Sequence, residues 1–146
     1  MATAASPAIM ASSSVAPKTE SREKLNRLIE ERSALIKQAT IALAGDHGLT
    51  EEQVDELERG VKQLRINVLR LMKRLRSIGP DPRRPRSRQR IDRDLLNYDI
   101  TIMQAEIELC EPDLEETEEQ GFLYDKWTAE THRERLLKQL SELKDE

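Results

Sequence analysis

The chain has 146 residues, of which 36% are charged, 37% hydrophobic and only 3% aromatic, and its formal net charge is −4. One Trp, one Phe and two Tyr leave a core to be built from aliphatic side chains on helix faces, which favours an elongated hairpin or a shared helical bundle over a globule. The single Cys110 excludes a disulfide framework within the chain and a cysteine cluster for zinc, and it fits a reducing compartment; no apolar run reaches the roughly 18 residues of a membrane span.

Residues 1–20 read as a disordered Ala/Ser-rich tail. Met1 to Pro17 carry no acid or base, so they have neither the charged start of a secretory signal nor the arginines of a mitochondrial presequence. Residues 21–79 read as a helical hairpin. Its first helix starts near Ser21 as N-cap and sets Leu25, Leu28, Ile29, Leu35, Ile36, Ala39, Ala42 and Leu43 at intervals of three and four. It stops at Gly45, and the linker Asp46-His47-Gly48 makes a tight reversal. Thr50 with Gln53 then gives a capping-box signature for the second helix. That helix carries Val54, Leu57, Val61, Leu64, Val68, Leu71, Leu75 and Ile78 at alternating spacings of three and four without a break. Such a seam belongs to a coiled coil or antiparallel bundle and, at about 1.5 Å per residue, runs roughly 40 Å. Gly60 lies within it and invites close approach of another helix; Gly79 with Pro80 and Pro82 ends it.

Residues 80–86 form a Pro/Arg-rich joint, because three prolines in six positions exclude a helix from Pro80 to Pro85. Residues 87–146 read as an acidic helical region. Its first helix runs from about Ser87 to Cys110, with one stripe through Ile91, Leu95, Tyr98, Ile102, Ala105 and Leu109 and a second through Leu96, Ile100, Met103 and Ile107. Two stripes predict burial on more than one side. Pro112 and the acids Asp113, Glu115, Glu116, Glu118 and Glu119 follow, and a last helix is expected to begin after Gly121. It holds Phe122, Leu123, Trp127, Leu136, Leu137, Leu140 and Leu143 around a polar middle at Glu130 to Arg135.

The modest net charge conceals strong segregation. Residues 1–58 carry 6 Lys/Arg and 10 Asp/Glu, residues 59–93 carry 13 and 2, and residues 94–146 carry 5 and 16. Net charge therefore runs −4, +11 and −11 along the chain. The densest basic run is Arg83, Arg84, Arg86, Arg88, Arg90 and Arg93 around Pro85. Three readings stand for it: pairing with the chain's own acids or with solvent, an acidic partner protein, or nucleic acid. No aromatic residue is interleaved with these arginines, which weighs against nucleic acid. The run also resembles a nuclear localisation patch.

No residue pattern carries catalysis, a metal or a cofactor. His47 lies in a turn and His132 in a charged helix, neither with cysteine or carboxylate at metal-ligand spacing, and no Gly-rich loop precedes Lys-Ser/Thr. The expectation is an all-α protein: an antiparallel coiled-coil or bundle arrangement of about four helices, acting as a non-enzymatic structural or adaptor subunit in the cytoplasm or nucleus. Leu57, Leu64, Leu71 and Leu75 form the expected contact seam with a partner protein or a second copy, or else the internal core. Phe122 and Trp127 are the expected aromatic anchors, or else pack on the third helix. The alternative is a nucleic-acid-associated protein using Arg83 to Arg93.

Overall fold

The computed structural model describes residues 18–45 and 48–143. It consists of α1 (Lys18–Ala44), α2 (Glu51–Ile78), α3 (Arg86–Glu108) and α4 (Glu116–Leu143), with no strand among the described residues. The all-α expectation holds. The expected tail falls largely on residues 1–17, outside the described residues, as do Asp46 and His47 of the first turn. Lys18 to Glu20 are already helical, so Ser21 lies inside α1 and is not its N-cap.

Successive helices run antiparallel, and side-chain contacts fix the register of each pair. For α1 and α2, Arg22 Nη2 donates to the carbonyls of Gly79 (3.2 Å) and Pro80 (3.1 Å), and Arg32 Nη1 donates to Asn67 Oδ1 (2.9 Å). For α2 and α3, Lys62 meets Glu111 at 3.0 Å, Arg65 meets Glu106 at 3.6 Å, and Arg76 donates to Asn97 at 3.5 Å. For α3 and α4, Arg88 donates to the Leu143 carbonyl (2.8 Å), Tyr98 stacks on His132 with centroids 5.4 Å apart, and Arg133 bonds Asp99 at 2.6 Å. Among the described residues no Cα of α4 comes within 8 Å of α1 or α2. The last helix is therefore an edge, held by α3 alone.

The core follows from the stripes. Ile36 of α1, Val61, Val68 and Met72 of α2, and Ile100 and Met103 of α3 make one cluster, with Ile29, Leu43, Leu64, Leu69, Leu96 and Ile107 packed around it. Val68 is wholly enclosed. The other face of α3 meets α4, where Ala105 and Ala129 are both buried and small side chains permit close backbone approach. The two stripes of α3 thus serve two neighbours. Buried apolar residues of α1 to α3 contribute roughly 1.5–3 kcal/mol each on leaving water. Several large apolar residues remain outside this core, among them Ile41 at 63% exposure, in line with four helices that do not close into a ring.

Caps explain the helix limits. Thr50 Oγ1 accepts from the Gln53 N–H while Gln53 Oε1 accepts from the Thr50 N–H, so the capping box is complete. Gly79 ends α2 at φ 88° and ψ 179°, a conformation that side-chain-bearing residues avoid. At the start of α4 the structure differs from expectation. The helix begins at Glu116, before Gly121, because Glu116, Glu118 and Glu119 favour the positive end of the helix dipole. That gain offsets the modest cost of one internal glycine. Gly60 differs too: nothing lies within 4 Å of where its Cβ would be, so no helix approaches closely there.

These two glycines make opposite predictions. Gly60→Ala is expected to stabilise the protein by about 1 kcal/mol, and Gly79→Ala to destabilise it by about 1–3 kcal/mol through backbone strain. Urea titrations of both variants check the signs.

Candidate interaction site

The antiparallel register converts the charge blocks of the sequence into two poles. The end of α2, the joint and the start of α3 share one end with the start of α1 and the end of α4, as the Arg22 and Arg88 hydrogen bonds require. Residues 70–93 bring ten bases and two acids to this end. The opposite end gathers residues 51–58 and 106–119, which hold thirteen acids and no base, joined through Lys62–Glu111 and Arg65–Glu106. Between like charges the repulsion is relieved in part by these cross-helix pairs. The remainder stands as a field along the molecule.

Four of the six arginines in and after the joint have partners within the chain. Arg83 clamps Asp81 with two bonds of 3.2 Å and reaches Glu23 at 3.8 Å. Arg84 pairs with Asp92 at 2.5 Å, Arg88 caps the end of α4 through Leu143, and Arg93 lies 3.8 Å from Asp94. Arg86 and Arg90 differ: both are exposed and have no ion pair or hydrogen bond among the described residues. The same holds for Arg70, Lys73 and Arg74 on the outer face of α2. Of the six arginines singled out from the sequence, the fold thus uses Arg83, Arg84, Arg88 and Arg93 and leaves Arg86 and Arg90 free. Placing Arg86 and Arg88 in the first turn of α3 opposes the helix dipole, a local cost that neither the core nor the cap requires.

Behind the joint lies a cavity of about 500 Å³ lined by Arg22, Leu75, Asp81, Arg84, Leu96 and Asp99, among others. Arg22 is only 8% exposed. Its Nε and Nη1 have no hydrogen-bond acceptor, and the Asp81 carboxylate 4.0 Å from Nη1 balances the buried charge. Hydrogen bonds from the Arg83 side chain and backbone hold the Asp81 carboxyl below its ordinary value. Asp99 behaves oppositely: burial pushes its carboxyl up, against the pull of the Arg133 guanidinium.

Among the expected contact leucines, Leu71 is buried, Leu64 packs against the core cluster, and Leu57 and Leu75 are half-buried. This seam lines the chain's own hairpin. The aromatic anchors separate. Phe122 is half-buried and stands two turns from buried Ala129, on the face turned to α3, whereas Trp127 is 62% exposed beside Tyr124 at 65%, with ring centroids 6.2 Å apart. Leu123, at 42%, extends the patch. Of the three aromatic residues that the sequence clusters at 122–127, Trp127 and Phe122 are the expected anchors, whereas the spacing of three residues places Tyr124, not Phe122, on the face of Trp127. The polar middle of α4 supplies His132 and Arg133 to the contact with α3.

The raised Asp99 favours its protonated form in the fold, so its stabilising contribution is present in acid and is lost as pH rises through that raised value. Arg133→Gln removes the opposing attraction. A carbon-13 titration should place Asp99 above 3.8 in the native chain and higher still in the variant; a fall in the variant contradicts this placement. No protein-family model, no curated protein sequence and no solved structure matches this chain.

Proposed function

We propose that this chain is a non-enzymatic structural or adaptor subunit that assembles with other protein through helix-bundle contacts, using the outer face of α4. The observation that carries this reading is the exposed set Leu123, Tyr124 and Trp127 on a helix packed against one neighbour only. Exposed aromatic groups clustered on a rigid element are the residues that dominate binding energy at protein interfaces. Leu71, buried in the chain's own core, and Leu64, packed against it, support α4, more than α2, as the contact element. The reading puts the protein in the cytoplasm or nucleus, where exposed Cys110 remains a thiol. No helix among the described residues is long and apolar enough to cross a membrane.

Trp127→Ala is expected to leave the helical signal and melting temperature unchanged and to weaken capture of the bound partner at least tenfold in quantitative affinity purification. Unchanged capture overturns the assignment of this face. A second reading, binding to the phosphates of nucleic acid, is favoured by one observation, the unpaired Arg86 and Arg90. Under it, Arg86→Glu with Arg90→Glu abolishes duplex binding measured by fluorescence anisotropy, and binding of the native chain falls steeply between low and physiological salt. Indifference to salt removes this reading. Arg84 and Arg88 are unsuitable for that test because their loss disturbs the joint and the end of α4.

A further inference from the structure

We infer that the aromatic face of α4 docks on the basic face of a second copy of this chain, head to tail. The inference rests on the reading of α4 as the contact face and names its occupant. At helical spacing, Glu116, Glu130 and Glu134 lie on the same outer face of α4 as Leu123, Tyr124 and Trp127. All three glutamates are exposed and unpaired among the described residues. Aromatic rings bordered by free carboxylates suit a guanidinium: the ring face attracts the cation and the carboxylates accept its N–H groups. The partner chemistry is therefore an arginine-rich, acid-poor helical surface.

The chain carries that surface itself. Residues 59–80 contain no acid, and Arg70, Lys73 and Arg74 stand free on the outer side of α2. Asn97, bonded to Arg76, marks the seam between α2 and α3. Lys73 is one turn from Arg76, and Arg90 two turns from Asn97, so they flank one face of this hairpin, with Arg86 one turn beyond Arg90. Within one molecule the two surfaces cannot meet. The aromatic patch belongs to the half of α4 near the acidic end, whereas Arg86 and Arg90 begin α3 at the other end, and α4 does not reach α2. Between two molecules they can, with the acidic end of one beside the basic end of the next.

The contact uses different patches on the two copies, so it propagates unless the rotation closes a ring. Two aromatic side chains and one leucine bury a few hundred Å², against about 800 Å² per partner in stable interfaces. The association is accordingly weak and depends on charge attraction that salt screens.

Sedimentation of the full chain tests this at about 0.05 M and about 0.5 M salt, with ionic screening far stronger in the second. The native chain should gain weight-average mass with concentration at low salt and sediment as a monomer at high salt. Two double variants, Tyr124→Ala with Trp127→Ala and Arg86→Glu with Arg90→Glu, should each be monomeric while keeping native helical signal, since the replaced side chains are exposed. Mixed in equal amounts they should form a dimer and stop there, because each retains the surface the other has lost. A monomeric native chain at low salt overturns the inference, and so does a mixture that sediments as separate monomers. Should the native chain be monomeric while Trp127→Ala still abolishes capture of another protein, the head-to-tail contact fails and the adaptor reading survives. If Trp127→Ala changes neither, both fail.

Discussion

Arg22 carries its charge inside the protein, against the carbonyls of Gly79 and Pro80 where α2 ends, and the placement of the other elements depends on that contact. Gly79 and Pro80 lie just past Ile78, the last helical residue, and their two carbonyls accept from one guanidinium nitrogen. Because the donor belongs to the start of α1, satisfying the end of α2 also closes the hairpin in one register. Asp81 then lies near enough to balance the charge, and the prolines around it turn the chain into α3. Breaking a buried pair of this kind is costlier than never having built it, since the remaining group stays buried without compensation.

From this closure the charge distribution follows without further design. A basic block centred on the joint is folded in half by an antiparallel turn, so both halves arrive at the same end of the molecule. Acidic stretches that flank the block arrive at the other. The core underneath is aliphatic and shared by three helices, while the fourth packs on α3 alone, where Ala129 is buried and the Tyr98–His132 stack, the Arg133–Asp99 pair and the Arg88–Leu143 hydrogen bond fix it. With one neighbour only, α4 leaves its opposite face uncovered, and that face is where Tyr124 and Trp127 stand.

Much of this was legible in the sequence. The period of three and four in α2, the Thr50–Gln53 box and the run of prolines each encode a local structure that the fold keeps. The double stripe of α3 correctly implied two neighbours. What sequence patterns did not disclose was allegiance: which arginine meets which acid depends on register between helices, so Arg84 and Arg88 looked identical to Arg86 and Arg90. Trp127 and Phe122 likewise lie five residues apart and face opposite ways, a distinction available only once Ala129 identifies the buried side of α4. Gly121 suggests a later start for α4 than the fold adopts, because the glutamates before it favour the positive end of the helix dipole.

The central claim, that antiparallel folding sets the basic and acidic blocks at opposite ends, is tested most directly by pulsed electron paramagnetic resonance on spin-labelled pairs in a Cys110→Ser background. Labels at Arg90 and Glu142 should lie within roughly 20 Å, and labels at Arg90 and Glu118 roughly 40 Å apart, given about 1.5 Å of rise per helical residue. Equal distances for the two pairs, or a reversal of their order, would contradict the account.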